Sequence, residues 1–318
     1  MSGEGQGQRN LDFERPVIEL EEKIDSLKRT GRTDEIGRLR TRLAELEAKI
    51  YKNLSPWETV LLARHPKRPT AQDYIGRICE EFTELHGDRR FGDDPAVIAG
   101  LARIDGRRIA VVGQEKGRTT REKIKRNFGM ASPEGFRKAL RVMKTAEKFG
   151  LPVLSLVDTP GAHPGVGAEE RGQPQAIAEN LKELFLVRTP VVVVVIGEGG
   201  SGGALALAIG DRVLMMEHSV YSVISPEGCA AILWKSRERA PDAAQSLRLT
   251  ARDCFELGVV DRIIDEINGA SHRAPDRNAE NLKRIVVDEI DSLGQLSIEE
   301  VLDERRRKYY SMGVFEEE

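Results

Sequence analysis

The chain has 318 residues, a length that fits one large domain or two ordinary ones. Its 49 basic and 52 acidic residues leave a net charge of −3, which excludes a generally basic nucleic-acid binder, and 40% hydrophobic content excludes a chain disordered throughout. Aromatic residues make up only 5%, so the core must be aliphatic, and the 30 glycines exceed the share of about 7% typical of globular proteins.

Residues 1–60 read as an N-terminal helical hairpin. Val17, Leu20, Ile24 and Leu27 recur at helical spacing, Thr30-Gly31 breaks the pattern, and Ile36, Leu39, Leu43, Leu46, Ile50 and Leu54 resume it. Such stripes must be covered, either by the chain's own core or by a partner chain. Residues 61–268 alternate between strand-like and helix-like segments. Strands are expected at Val97–Ile104, Arg108–Val112, Val153–Val157, Val191–Ile196, Arg212–Met216 and Ser219–Ile224, with Asp105-Gly106 as a hairpin turn. Helices are expected at Ser132–Phe149, Gln173–Val187, Gly202–Ile209, Pro226–Lys235 and Ala251–Leu257. Continuous apolar strands between helices argue for an α/β core with both sheet faces covered. Residues 269–318 read as a polar loop followed by a helical tail, at Glu280–Leu293 and Ile298–Tyr309.

Cys79, Cys229 and Cys254 form no CxxC pair, and the five histidines show no HxxxH or HExxH spacing, so no structural metal site is expected in this chain. Met1–Asn10 is polar, and the longest apolar run, Pro190–Ile196, is far short of the ~18 residues of a membrane span. These features read as a soluble cytoplasmic protein.

Chemistry concentrates where a strand runs into glycine. In PVVVVVIGEGGSGGALALAIG, residues 190–210, a buried strand meets a glycine-rich turn and a helix of small residues, so unpaired N–H groups are exposed to negative charge. Three functional readings compete with plain close packing. Gly197, Gly199 and Gly202 fit a dinucleotide-binding GxGxxG, although many glycines make that fit easy, and Glu217 is a weak acidic partner. A phosphate-binding P-loop would need a Gly-Lys pair that the chain lacks. The third reading is an oxyanion hole formed by the N–H groups of Gly202 and Gly203. Residues 153–172, VLSLVDTPGAHPGVGAEERG, repeat the strand-to-turn logic and put Gly161 and Ala162 forward as a second wall. The charged Glu169, Glu170 and Arg171 read as a solvated helix entry. EKGRTTREKIKR, residues 115–126, is a basic run that could be a solvated helix or a contact for an acyl-CoA phosphate or a protein partner. No aromatic residue interleaves it before Phe128, which argues against nucleic acid.

Six ordered runs carry a resemblance: EKGR (115–118), RNFGM (126–130), PEGFRKALR (133–141), DTPGAHPGVGAEERGQ (158–173), IGEGGSGGALA (196–206) and YSVISPEGCAAILWK (221–235). Together they resemble the α subunits of bacterial acetyl-CoA carboxylase carboxyltransferase, from Leu11 to the helical tail. The resemblance implies a crotonase-like ββα spiral core. It implies transfer of a carboxyl group from carboxybiotin to acetyl-CoA, yielding malonyl-CoA, the first committed step of fatty acid biosynthesis. It further implies an α2β2 assembly with a zinc-bearing β subunit, biotin supplied on a separate biotin carboxyl carrier protein, and biotin carboxylase upstream. By resemblance, Gly202 and Gly203 serve the biotin oxygen while the thioester donors lie on the β chain, and Lys116 and Arg118 are the substrate contacts. Such transfer needs N–H donors where anionic charge develops and no nucleophilic side chain. A crotonase-type hydratase or isomerase would instead need a positioned acid or base, for which Glu198 is the carboxylate inside the glycine loop. A non-catalytic assembly subunit would leave the two glycine loops unexplained.

Overall fold

The computed structural model describes residues 11–29 and 33–313. Helices α1 (Arg15–Arg29) and α2 (Thr33–Lys52) pack together as the expected N-terminal pair, and the break at Thr30-Gly31 lies outside the described residues. Arg273 bonds to both Glu21 of α1 and Glu47 of α2, tying the pair to the body of the chain. Helix α3 (Pro56–Ala63) runs through residue 60 and packs Val60 beside Val220, Ala244 and Leu249.

The remaining elements follow in order: α4 (Ala71–Ile78), β1 (Glu81–Glu84), β2 (Val97–Ile104), β3 (Arg107–Gln114), α5 (Thr120–Lys125), α6 (Pro133–Phe149), β4 (Val153–Thr159), α7 (Val166–Glu170), α8 (Gln173–Leu186), β5 (Val191–Gly200), α9 (Ser201–Leu205), β6 (Arg212–Met216), β7 (Val220–Ser222), α10 (Pro226–Trp234), α11 (Ala240–Leu247), α12 (Ala251–Glu256), β8 (Arg262–Ile264), α13 (Pro275–Leu293) and α14 (Ile298–Tyr310). They build one sheet in the order β1-β2-β3-β4-β5-β6-β8, with β7 paired to β5. Strands β1 to β3 are antiparallel, and β3 onward is parallel. Asp105 and Gly106 both take positive φ, giving the tight β2–β3 hairpin that their pairing in sequence suggests.

Strand β5 explains the sheet's place in the core. Val191, Val193 and Val195 face one cluster with Phe136, Met143 and Leu184, while Val192, Val194 and Ile196 face another with Tyr74, Leu282 and Val286. Alternation sends successive side chains to opposite faces, and helices cover both. Each fully buried valine or isoleucine contributes about 1.5–3 kcal/mol. The C-terminal helices belong to this cover. Helix α13 lays Leu282, Ile285, Val286 and Ile290 on the sheet, and the buried Arg305 of α14 binds Asp211 and the carbonyls of Leu184, Val187 and Thr189.

Three differences from the sequence-based elements matter. Strand β5 does not stop at Ile196 but continues through the glycines to Gly200, pairing there with β7. Helix α9 is a single turn ending at Leu205 rather than a helix to Ile209. Helix α13 begins at Pro275, five residues earlier than its apolar pattern suggests.

Candidate functional site

At their C-terminal ends, β4 and β5 change register between the Val157–Val195 and Thr159–Gly199 pairs. The irregularity frees two loops to fold over the sheet end, and they interlock there. A Cβ on Gly200 would sit 2.2 Å from the carbonyl oxygen of Pro160, and one on Gly203 would sit 2.3 Å from the carbonyl carbon of Gly161 and 2.4 Å from the nitrogen of Ala162. Only glycine permits main chain to approach main chain this closely. A Cβ on Gly202, by contrast, meets only Ile177, at 3.8 Å. Gly203, Gly161 and Ala162 therefore pack directly together, with Gly202 next to them in the chain. Their division of labour differs from the sequence expectation, because Gly200 and Gly203 admit the neighbouring loop rather than a ligand.

As the second and third residues of α9, Gly202 and Gly203 have N–H groups with no acceptor inside the helix. In the facing loop, the Gly161 N–H donates to Thr159 Oγ1 at 3.1 Å, so the wall presents Ala162 rather than Gly161 as a donor. Ser201 takes a left-handed backbone conformation, φ 55°, at the junction of β5 and α9. Such a conformation in a non-glycine residue costs on the order of 1–2 kcal/mol.

Beside the loops lies a partly buried ion cluster. Lys116 Nζ is 2.7 Å from Asp158 Oδ1 and 2.6 Å from Glu198 Oε2. Arg64 continues the chain, with Nε 2.6 Å from Glu198 Oε1 and Nη1 2.5 Å from Glu227 Oε1. Asp158 Oδ1 also accepts the Glu198 N–H at 2.9 Å. Burial opposes the charge on Glu198, but the adjacent Lys116 and Arg64 outweigh it and hold the carboxyl at about 2. Burial likewise opposes the Lys116 ammonium, and Asp158 and Glu198 outweigh it, raising its pKa. Glu198 is thus a locked anion rather than a group poised to move protons.

The structure does not bring Lys116 and Arg118 together. Lys116 is engaged from inside by two carboxylates, whereas Arg118 is 61% exposed and pairs with Asp73. Arg118 lies beside Lys67 and Arg77 in a basic, proline-edged groove. Helix α5, which carries much of the basic run, has no buried residue. Arg171 binds Glu134 at 2.8 Å and stacks on Phe91, while Glu169 and Glu170 are exposed.

Sequence reasoning missed Gln114, at the end of β3. Its fully buried amide donates to Gly203 O at 2.7 Å and accepts from Asp158 N at 3.2 Å. It missed Arg64 as well. The pattern Ser55-x-x-Glu58, a capping box that opens α3, could have marked the helix that carries it.

Among the described residues, one group offers metal-type ligands: Glu14, His65 and His272, with ligand atoms within 4.8 Å of one another. Its geometry serves hydrogen bonding instead. The two imidazoles stack at 3.9 Å and 28°, so their in-plane lone pairs run side by side rather than converging. Lys67 N–H donates to His65 Nδ1, which leaves the ring proton of neutral His65 on Nε2, facing Glu14. Glu14 also accepts from Tyr51 Oη at 2.6 Å, joining α2 to the turn that precedes α1.

A cavity of about 650 Å³ opens at the opposite end of the sheet between Arg108, Pro152, Pro190 and the α13–α14 connection, away from the glycine loops. A family profile described as acetyl co-enzyme A carboxylase carboxyltransferase-like matches residues 10–313. The acetyl-coenzyme A carboxylase carboxyl transferase subunit alpha of Halorhodospira halophila is 53% identical over 309 residues, covering 95% of this chain and 97% of that protein. The protein of the same name from Methylococcus capsulatus is 51% identical over 313 residues, covering 96% and 98%. Among solved structures, transcarboxylase 12S with hydrolysed methylmalonyl-coenzyme A aligns with a TM-score of 0.59 at 20% identity, over 71% of this chain and 42% of that one. The beta subunit of Pseudomonas aeruginosa geranyl-CoA carboxylase aligns with a TM-score of 0.56 at 18% identity, over 80% and 45%. This chain spans less than half the length of either solved chain. The shared architecture is the crotonase-like α/β core expected from the sequence. The chain belongs to the family of acetyl-coenzyme A carboxylase carboxyltransferase α subunits.

Proposed function

We propose that this chain is the α half of a carboxyltransferase that makes malonyl-CoA from acetyl-CoA, and that it works only with a β subunit, as α2β2. The observation that carries this reading is the interlock of the two glycine loops at Gly203 and Gly161, beside main-chain N–H groups at a sheet end. Near-full-length identity of 53% to a carboxyl transferase α subunit supports it.

Carboxybiotin, brought by a separate biotin carboxyl carrier protein and charged by biotin carboxylase, supplies the carboxyl group. The chain's own part is electrostatic. Gly202 and Gly203 donate N–H groups to an oxygen that gains negative charge, and Ala162 faces them from the second loop. One such donor contributes roughly 3–4 kcal/mol where water is excluded. Lys116, Asp158, Glu198 and Arg64 hold the loops from the side. Arg118, exposed in its basic groove, is the contact for a CoA phosphate, and Lys116 acts on substrate through the cluster it anchors.

The β subunit covers α10. That helix begins at Pro226, which lines a cleft with Gly199 and Gly200, and it leaves Ile232 and Leu233 each 62% exposed. Apolar surface beside a catalytic cleft is the mark of a partner face. The zinc ribbon and the thioester donors belong to that partner. No helix among the described residues is long and apolar enough to cross a membrane, and Cys79, Cys229 and Cys254 are free thiols, which fits a place in the cytoplasm. The test is purification of the native complex. A partner with a CxxC…CxxC ribbon should accompany the chain, and malonyl-CoA should form from acetyl-CoA and carboxybiotin only when both are present. Formation of malonyl-CoA without any partner contradicts the proposal.

A further inference from the structure

Helix α9 carries the proposed donors, yet it is five residues long and has no side-chain cap. Isolated helices below about 12 residues are marginal in water, so this turn must be held from outside. Three fully buried polar side chains from three other elements do so. Gln114 of β3 donates to Gly203 O at 2.7 Å. Asn180 of α8 donates to Ala206 O at 3.2 Å. Ser155 of β4 donates to Leu207 O at 2.7 Å. The carbonyl at the middle of the turn and the two just past its end are thus held by buried side chains.

Gln114 differs from the other two because it grips both loops. Its Oε1 accepts the N–H of Asp158, 3.2 Å away, while its Nε2 serves Gly203 O. Only one orientation of the amide satisfies both partners, since Asp158 N needs an acceptor and Gly203 O needs a donor. A single rigid side chain therefore fixes where the β4 loop starts and how the Gly203 residue is turned.

We propose that Gln114 is a positioning residue for carboxyl transfer, holding the Gly202 and Gly203 N–H groups on the reacting oxygen by anchoring Gly203 from inside the sheet. The inference rests on the reading of those N–H groups as oxyanion donors. It does not make Gln114 a catalytic residue, because the side chain is buried behind the loops. Its effect falls on transition-state stabilisation, so it moves kcat rather than the KM for malonyl-CoA, whose thioester is held by the partner.

The experiment uses the assembled α and β complex and biocytin-dependent decarboxylation of malonyl-CoA. Gln114→Met should lower kcat at least tenfold and leave the KM for malonyl-CoA within about twofold, against a typical loss of ~100–1,000-fold for an oxyanion donor removed outright. Gln114→Glu supplies a readout that a packing role would not move. While ionised, the new carboxylate repels the Gly203 carbonyl; once protonated, it donates in the amide's place. Its activity relative to wild type should therefore rise several-fold as pH is lowered from about 8.5 to about 6, because burial lifts a carboxyl pKa into that range. Ser155→Ala should show no such rise. A Gln114→Met complex with wild-type kcat, or a Gln114→Glu profile parallel to wild type, overturns the proposal, as does failure of both variants to assemble with the β subunit. Gly203→Ala separates the two levels. If it is fully active, the donor reading itself fails; if it is inactive while Gln114→Met is unimpaired, only the role of Gln114 fails.

Discussion

Gly203 and Gly161 meet main chain to main chain, with the would-be Cβ of Gly203 2.3 Å from the Gly161 carbonyl carbon. Neither partner is a flexible side chain, so an added methyl group has to push two loops apart. Gly203→Ala should cost about 1–3 kcal/mol of stability, as overpacking does. It should also lower carboxyl transfer about 100-fold, the scale expected when reacting groups shift by about 1 Å. Gly202→Ala should lose far less on both counts, because its methyl group meets only Ile177 at 3.8 Å. Thermal unfolding and steady-state rates of the two complexes check this. Equal losses would contradict it.

Lys116 should prove a structural cation. Lys116→Met leaves Asp158 and Glu198 buried against each other without their shared cation. Breaking such a pair costs about 3–5 kcal/mol. Denaturant unfolding of the purified variant measures the loss. An unchanged stability with a raised KM for acetyl-CoA would instead place Lys116 on the substrate.

Acid should weaken the fold in two stages. Burial holds His65 down at about 4, below the ordinary 6.5. Its folded pKa is depressed, so the unfolded chain binds its proton first. The stability this gives is complete above about 6.5 and is lost as pH falls through 4. Burial is outweighed at Glu198 by Lys116 and Arg64, and at Glu266 by Arg68 and His218, holding both carboxyls at about 2. Their contribution is complete above about 4.5 and is lost as pH falls toward 2. Each full shift corresponds to on the order of 3 kcal/mol. Unfolding free energy measured against pH should therefore fall in both windows, and His65→Gln should flatten the first alone. A first window unchanged in that variant would contradict the assignment.

The apolar face of α10 should govern assembly. Ile232 and Leu233 are each 62% exposed, so Ile232→Asp with Leu233→Asp should leave the melting temperature of the isolated chain within a few degrees while abolishing co-purification with the β subunit. Retained assembly would move the partner elsewhere.

Much of the fold was legible because its signals are local. The valine run at 191–195, the Asp105-Gly106 turn and the Ser132-Pro133 helix start each carry their own signature within a few residues. Strand β1, EFTE, did not, since three of its four residues are exposed and it alternates nothing. Helices α4 and α11 also escaped, although Thr70-x-x-Asp73 is a capping box that could have opened the first. The site was legible in its glycines but not in its supports. Lys116 and Glu198 are 82 residues apart, and Gln114 and Gly203 are 89 apart, so no local pattern records either contact. The glycine surplus also carried a double meaning that only packing resolves: Gly200 and Gly203 make room for a loop, while Gly202 has room for a methyl group beside Ile177.

The most direct measurement of the central claim is biocytin-dependent decarboxylation of malonyl-CoA by this chain alone, by the zinc-ribbon partner alone, and by the two combined. Turnover is expected only in the combination, reduced about 100-fold when Gly203→Ala replaces the wild-type chain. Turnover by this chain alone, or a Gly203→Ala complex as fast as wild type, would contradict that claim.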